Sequence, residues 1–198
     1  MTDETNPWTT LGTRRLVEDR YFAYDTDTVR HRSGHEHTHV ALRSQVAGIA
    51  VLPIDAEGRT RLVGQYRYVL NRFTWELVRG SGPRGSDMLE AAQRELSEET
   101  GLGAERWLEL FRLDASPGIS NEVAACFVAW GLTSVASTPD PQESLSCRSV
   151  PFAEAVAAAL SGAITDSPSV ALILALAARA SAGTVPDDLA QLLRGPGG

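Results

Sequence analysis

The sequence predicts an α/β fold in which a mixed β-sheet is packed between helices. Strand-like segments rich in Val, Ile and aromatic residues fill most of residues 14–80, and more of them follow after residue 105. One strongly helix-forming segment separates the two groups at 86–100, and further helical segments lie near the C-terminus. The 198 residues are enough for one domain with a sizeable core and for a small additional subdomain.

Apolar patterns and turn residues set the order of the predicted elements. Residues 1–12 show no such pattern and are expected to form a loose terminus. The turn at Glu57-Gly58 predicts a β-hairpin, and the Gly- and Pro-rich stretch 79–86 predicts a loop. Strands are predicted at 14–34, 38–55, 61–70, 73–80, 106–114, 123–132 and 145–152, and helices at 86–100, 153–162 and 167–180.

The segment "SDMLEAAQRELSEET", residues 86–100, has both a start and a stop signal for a helix. Ser86 or Asp87 can cap its N-terminus. With Asp87 as the N-cap, Glu90 falls at the third helical position, as in a capping box. Gly101 suits the left-handed conformation that commonly ends a helix, so the helix is expected to stop there.

Composition and charge argue against several classes of function. The net charge is −7 and no Lys/Arg-rich block occurs, so nucleic acid is not an expected partner. Cys126 and Cys147 have no CxxC spacing, which indicates a reducing compartment and no zinc or disulfide framework. The polar start "MTDETNPWTT" has no signal-peptide pattern, and the apolar stretch 169–180 is too short to span a bilayer. The cytoplasm is the expected location, with no membrane partner.

Three glutamates crowd one face of the predicted helix. Glu95 shares a face with Glu98 and Glu99, because residues three and four apart are neighbours on a helix. Arg94 is the only nearby cation in the helix, and one arginine does not balance three carboxylates. A magnesium ion would, since it prefers oxygen ligands and is often held by carboxylates together with substrate phosphates. A solvated acidic face is the alternative, and the helix taken alone slightly favours it.

The residues around the helix favour a metal site over a solvated acidic face. Gly80, Arg94-Glu95-Leu96, Glu98-Glu99 and Gly101-Leu102 stand at the spacing of a known pattern. Between residues 80 and 102 the chain resembles the signature of the Nudix hydrolases. The first glutamate of that signature is expected at position 86, where this chain has Ser86. The departure bears on activity more than on fold, and Asp87 or Glu90 could compensate for it.

Residues outside the signature resemble one branch of the family, the ADP-ribose and ADP-sugar pyrophosphatases. The matching segments are "GQYRYVLNRFTWELVRG", "SPGISNE" and "GAITDSPSVALILAL". The resemblance implies a Nudix α/β/α sandwich with a mixed β-sheet plus a small N-terminal β subdomain. It implies a strand subdomain at 1–43 that makes a homodimer contact, a hydrolase domain at 44–185 and a C-terminal tail at 186–198.

The activity implied by the resemblance is Mg²⁺-dependent hydrolysis of a nucleoside diphosphate-linked compound, with Mn²⁺ as a second suitable ion. A nucleoside diphosphate-sugar is the expected substrate, foremost ADP-ribose, which would give AMP and ribose 5-phosphate. Glu95, Glu98, Glu99 and the backbone carbonyl of Arg79 are the expected metal ligands. Arg67, Glu122 and Arg94 are the expected substrate contacts, and Glu98, Glu99 and Glu143 the expected catalytic residues. Glu143, in a Pro-rich loop, is the candidate general base.

Two alternatives remain open. The chain is a catalytically weak or inactive binding module for a nucleotide sugar if Ser86 and Arg79 disable the signature, although the complete glutamate set argues against this. It is a structural protein with an acidic helix if the signature is a coincidence. The histidines raise a separate question: His31, His35, His37 and His39. On a strand the last three would share a face and could bind zinc, but an exposed or interfacial strand is favoured, because no acidic or cysteine partner completes a site.

Overall fold

An N-terminal sheet of three antiparallel strands opens the fold, in the order β1-β2-β3. The computed structural model describes residues 5–136 and 144–194. The strands are β1 Trp8–Glu18, β2 Phe22–His31 and β3 Glu36–Ser44. The expectation of a loose terminus through residue 12 is therefore wrong from Trp8 onwards. Every residue of β1 is exposed. No face of the strand is buried, and its sequence lacks the alternation of apolar and polar residues that would have indicated a strand.

A second, seven-stranded sheet forms the centre of the protein, in the order β10-β5-β4-β9-β8 with β6 on β5 and β7 on β4. It is mixed, because β4 and β9 run parallel while the other pairs are antiparallel. Its strands are β4 Val46–Ile54, β5 Arg59–Arg67, β6 Arg72–Glu76, β7 Val78–Pro83, β8 Leu102–Asp114, β9 Val123–Ser134 and β10 Ser146–Pro151.

Helices cover both faces of the central sheet. α1 Met88–Thr100 packs on one face, where Leu96 joins a core with Ile49 and Phe127. On the other face lie α2 Phe152–Ser161, α3 Ser167–Ser181 and α4 Asp187–Arg194, whose apolar residues share a core with the opposite sides of β4, β5 and β9. The predicted α/β/α sandwich with a mixed sheet is confirmed.

Helix α4 lies within residues 186–198, the stretch expected to be a tail. Its Leu189 is fully buried, which anchors the helix to the core. Residues 187–194 of the expected tail thus form an anchored helix, and the division of the chain into domains stays a prediction. None of the helices in the described parts of the chain has the length and hydropathy needed to cross a membrane.

The predicted hairpin around Glu57-Gly58 opens soon after its turn. β4 and β5 pair only at Ile54 and Thr60. Further along, β6 pairs with β5 and β7 pairs with β4, so residues 72–83 fill the gap between the two strands. β7 continues to Pro83, into the stretch predicted to be a loop. Its glycines do not end the strand, because they continue to pair with β4, and proline is tolerated at the strand end.

Candidate active site

Helix α1 is fixed at both ends and along its apolar face. The side chain of Asp87 accepts a hydrogen bond from the Leu89 amide at 2.8 Å, so Asp87 is the N-cap. Ser86 instead donates its hydroxyl hydrogen to the Pro83 carbonyl at 2.7 Å, which closes the turn before the helix. Gly101 ends the helix with φ of 67°, as predicted. Because the apolar face of α1 packs in the core, the face that carries the glutamates keeps a fixed orientation relative to β7.

Glu95 lies directly against the backbone of β7. Its Oε1 accepts hydrogen bonds from the Ser81 amide at 3.3 Å and from Arg94 at 2.7 Å. A Cβ added to Gly80 would overlap the Glu95 carboxyl group, so only glycine leaves room for it. Burial raises the pKa of Glu95 above its ordinary value, and the Arg94 guanidinium opposes that rise.

Glu99 is the most buried glutamate of the three. Its Oε2 accepts a hydrogen bond from the Arg79 amide at 3.3 Å. Its backbone carbonyl accepts the thiol hydrogen of Cys147 at 3.2 Å, which links the end of α1 to β10. Burial raises the pKa of the Cys147 thiol, and the nearby Glu99 carboxylate adds to the rise.

Arg94 binds two of the three glutamates at once. It donates to Glu95 and to Glu98, each at 2.7 Å, and to the Ser81 carbonyl at 2.9 Å. These contacts tie α1 to β7 and neutralise part of the carboxylate charge. Arg94 therefore has protein acceptors here, and its expected contact with substrate stays a prediction.

The glutamate face suits a hard divalent cation. Carboxylate oxygens are the ligands magnesium prefers, and the space left by Gly80 admits the Glu95 carboxylate beside the strand. Within residues 5–136 and 144–194, no group of three or more histidine, cysteine or acidic side chains is placed to hold a metal ion by itself. A magnesium ion here would need further ligands, such as substrate phosphates and water.

A second charged group lies on the hairpin formed by β5 and β6. Arg67 donates to both carboxylate oxygens of Glu76, at 2.9 Å and 2.5 Å, and Thr74 donates to one of them at 2.6 Å. The Glu76 side chain is only 3% exposed, whereas that of Arg67 is 37% exposed. Burial raises the pKa of Glu76, but the hydrogen bonds and the charge of Arg67 outweigh it, so the pKa is lowered overall.

The side chain of Arg79 extends toward the start of α3. Its Nε lies 3.1 Å from Oδ2 of Asp166, although the pair does not have hydrogen-bond geometry, and another of its nitrogens donates to the Ile49 carbonyl. Asp166 is the N-cap of α3 and accepts from the amide and hydroxyl of Ser169. Arg79 thus contacts two helices: its amide binds Glu99 of α1, and its side chain pairs with Asp166, the N-cap of α3.

These side chains line an open pocket of about 370 Å³. Its lining is Arg67, Leu70, Arg72, Thr74, Glu76, Arg79, Thr165 and Asp166. The sequence singled out Arg67 but missed Glu76 and Asp166. A charged residue inside the apolar strand segment "FTWELV" was the available signal for Glu76. Another cavity, of about 470 Å³ beside Trp130 and α4, has an acidic lining without arginine and suits a diphosphate less well.

Glu122 lies directly before β9 at the same end of the sheet as Glu95. Ala124 of β9 pairs with Gly48 of β4, which in turn pairs with Ser81 of β7. The register thus places Glu122 level with Val46 and with Pro83 at the end of β7, across one intervening strand. Its expected substrate contact stays a prediction. Glu143 falls in 137–143 and lies outside the described residues.

The histidines lie on the N-terminal sheet and its turn, apart from this site. The His37 and His39 rings meet edge to face with centroids 6.0 Å apart, and both residues are exposed on β3. His31 packs against Trp8 with ring centroids 4.8 Å apart and shares a hydrogen bond with Ser33 at 2.8 Å. His35 lies in the turn before β3, so it does not join the other two on one strand.

Comparison with known proteins identifies the class. The family model of the NUDIX domain matches residues 43–172, more than half of the chain. The chain therefore belongs to the NUDIX family and is a Nudix hydrolase related to the ADP-ribose pyrophosphatases. The resemblance seen between residues 80 and 102 and the predicted enzyme class are both confirmed.

Individual relatives narrow the comparison. The chain is 32% identical to an ADP-ribose pyrophosphatase of Mycobacterium tuberculosis over 170 residues, 84% of this chain and 82% of that protein. It is also 32% identical to a methanol dehydrogenase activator of Bacillus methanolicus over 124 residues, 63% of this chain and 66% of that protein. The crystal structure of an ADP compounds hydrolase matches with a TM-score of 0.82 and 19% identity, over 93% of this chain and 100% of that one. That last likeness is one of fold alone.

Proposed function

We propose that this protein hydrolyses the diphosphate of a nucleoside diphosphate-linked compound with the help of Mg²⁺, and that its substrate is ADP-ribose. One observation carries the proposal: Glu95 fits into the space left by Gly80, on the same helix as Glu98 and Glu99. The identity to an ADP-ribose pyrophosphatase over most of the chain supports the choice of substrate. The products would be AMP and ribose 5-phosphate.

The proposed roles of the side chains follow from their positions. Glu95, Glu98 and Glu99, with the backbone carbonyl of Arg79, would hold Mg²⁺ or Mn²⁺. When bound, such an ion neutralises the charge of a diphosphate and makes water more acidic. The Arg79 amide keeps the Glu99 carboxylate in place, and Arg94 holds Glu95 and Glu98 against β7.

Proton transfer and substrate binding fall to other groups. Glu143 is the proposed general base, and Glu98 or Glu99 would take that role if Glu143 does not. Arg67 is rigidly held by Glu76, so it presents its remaining N–H groups to a substrate without first losing side-chain entropy. Glu122 and Arg94 would contact the substrate from the glutamate side.

Product analysis with ADP-ribose tests the proposal. We expect AMP to form with magnesium and not with chelator, and the Glu99→Gln variant to lose about a hundredfold or more in rate, because a metal-holding carboxylate is removed. The variant keeps an oxygen that can accept from the Arg79 amide, so its fold should survive, which circular dichroism would check.

An absence of AMP from folded wild-type protein would contradict the choice of ADP-ribose. In that case the Ser86→Glu variant separates two explanations. Restored hydrolysis would show that the departure at position 86 disables the signature, in agreement with a nucleotide-sugar binding module. Continued inactivity, together with turnover of another nucleoside diphosphate compound, would show that the substrate was wrong.

A further inference from the structure

The pocket beside Glu99 has more hydrogen-bond donors than acceptors. Both oxygens of Glu76 already accept from Arg67 and Thr74. Asp166 accepts from Ser169 through Oδ2 and caps α3 with it. Both oxygens of Glu76 are thus turned to protein donors, whereas only Oδ2 of Asp166 is. Apart from Oδ1 of Asp166, the charged hydrogen-bonding groups left toward the pocket are guanidinium N–H groups.

Three arginines supply those donors, and they differ in how far protein acceptors already bind their N–H groups. Arg67 is neutralised by its two-pronged contact with Glu76. Arg72 donates to the Thr165 hydroxyl at 2.9 Å, and it has no ion pair among the described residues. Arg79 pairs with Asp166 at 3.1 Å, its Nε is buried, and another of its nitrogens donates to the Ile49 carbonyl, so a ligand would meet only its remaining N–H groups. The lining therefore has three positive and two negative side chains and favours an anion with several acceptor oxygens.

The position of the pocket indicates which part of a substrate would enter it. The Arg79 amide binds Glu99, so the pocket begins one residue away from the carboxylates that would face the diphosphate. None of the described residues that line it is aromatic, although a nucleobase is commonly bound by stacking on a ring. Its volume of about 370 Å³ lies in the usual range for small-molecule sites, roughly 300–1,000 Å³. These features suit the sugar side of the substrate.

We propose that Arg72 and Arg79 allow the site also to accept derivatives of ADP-ribose whose sugar carries an additional phosphate monoester, and to bind them more tightly than ADP-ribose itself. This inference rests on the proposed function, because it takes the diphosphate to lie at Glu95 and Glu99. A phosphate monoester matches the donor surplus, since it offers several charged acceptor oxygens to two guanidinium groups. A neutral ribose, with hydroxyl groups alone, would leave part of that donor capacity unused.

Three ligands test the selection. They are ADP-ribose, ADP-ribose with a phosphate monoester on its terminal ribose, and ADP-ribose with the same phosphate on its adenosine ribose. The third has the same added charge at the other end, so it separates a pocket on the sugar side from general attraction of anions. Their affinities are measured by titration calorimetry in the presence of chelator. Turnover is not needed, so the result does not depend on whether ADP-ribose is hydrolysed.

Arg72→Gln and Arg79→Gln are the informative variants, and Arg106→Gln is the matched control. Arg106 is an exposed arginine that pairs with Asp188, outside the pocket. We expect the wild type to bind the sugar-side phosphate at least about tenfold more tightly than the other two ligands, as for one or two charged hydrogen bonds. Each pocket variant should lower that preference several-fold, and the control should retain it.

Two results would overturn the proposal. One is a wild type that binds the sugar-side phosphate no better than the other ligands. The other is an equal loss of affinity for all three ligands in Arg72→Gln and Arg79→Gln, which would assign the arginines to the diphosphate. Arg72 is exposed, so its variant remains interpretable even if Arg79→Gln does not fold.

Discussion

At the scale of single residues, the site depends as much on an absent side chain as on charged ones. Gly80 is conformationally ordinary, and what matters is the space beside it, which the Glu95 carboxylate occupies. That carboxylate is also held by the Ser81 amide and by Arg94. The glycine of the signature can therefore be explained by close approach of a helix side chain to a strand.

Replacing Gly80 with alanine should displace Glu95. The added Cβ would overlap the Glu95 carboxyl group, and the Glu95 side chain is the flexible group that would have to move away. A shift of about 1 Å in a positioning group typically costs on the order of a hundredfold in rate. We expect a loss of that size for Gly80→Ala in magnesium-dependent hydrolysis, measured by product formation.

Gly12→Ala is the control for this substitution. Gly12 lies in the exposed strand β1, where an added Cβ meets nothing within 4 Å. It should leave both hydrolysis and thermal unfolding close to the wild type. Full activity of Gly80→Ala would show that Glu95 does not need the position seen in the structure.

At the scale of elements, helix α1 depends on its N-terminal cap. Asp87 is the N-cap of this helix, and its side chain accepts a hydrogen bond from the Leu89 amide. Asp87→Ala should lower the free energy of unfolding by about 1 kcal/mol, because an orphan amide loses its acceptor. Urea denaturation would measure the change.

Asp87→Asn separates capping from charge. Asparagine is about as good an N-cap as aspartate, so this variant should keep most of the stability that alanine loses. Equal losses in the two variants would mean that the carboxylate charge near the helix N-terminus matters, and that the hydrogen bond to Leu89 does not.

Some elements were predictable from the sequence because their signals are local. Helix α1 has a cap, strong helix formers and a terminal glycine within one short stretch, and all three appear in the structure. Residues 8–13 of β1 and the helix α4 were missed for the opposite reason. β1 is exposed along its whole length, and α4 is a short helix anchored by Leu189, so neither shows a long apolar pattern.

Some residues of the site were likewise predictable from local signals, and others were not. That Glu95, Glu98 and Glu99 share a helix face follows from helical spacing, and the resemblance to the Nudix signature singled them out as metal ligands. The contact of Arg67 with Glu76 depends on the register of β5 against β6, and that of Arg79 with Asp166 joins positions far apart in the chain. Sequence spacing does not encode such pairs. Glu143 lies outside the described residues, so its role stays a prediction.

At the scale of the whole molecule, the N-terminal sheet is joined to the site through the loop before β9. The Leu42 amide of β3 donates to the Ile119 carbonyl at 2.8 Å, and the Ser44 amide donates to the Asn121 side chain at 2.7 Å. Asn121 immediately precedes Glu122. A partner that binds the N-terminal sheet would therefore act on the loop that positions Glu122.

A second copy of the chain is the partner we expect. Among the described residues β1 pairs only with β2, so its other edge has no partner there, and it exposes Trp8, Leu11, Leu16 and Val17, the last at 66%. Exposed apolar residues beside an open strand edge are typical of an interface. Light scattering at micromolar concentration should give the mass of a dimer. Leu11→Lys combined with Val17→Lys should give a monomer, because two charges would have to be buried at the contact.

Leu160→Lys is the matched control for this shift. Leu160 is 72% exposed on α2, so it adds a lysine at an exposed leucine away from β1. It should leave the dimer intact. A dimer that also dissociates with Leu160→Lys would place the interface elsewhere, and a monomeric wild type would rule out the homodimer. One further outcome is that the double variant is a folded monomer that binds substrate more weakly than the dimer. In that case we infer that dimer formation affects Glu122 through the contacts of β3 with Asn121.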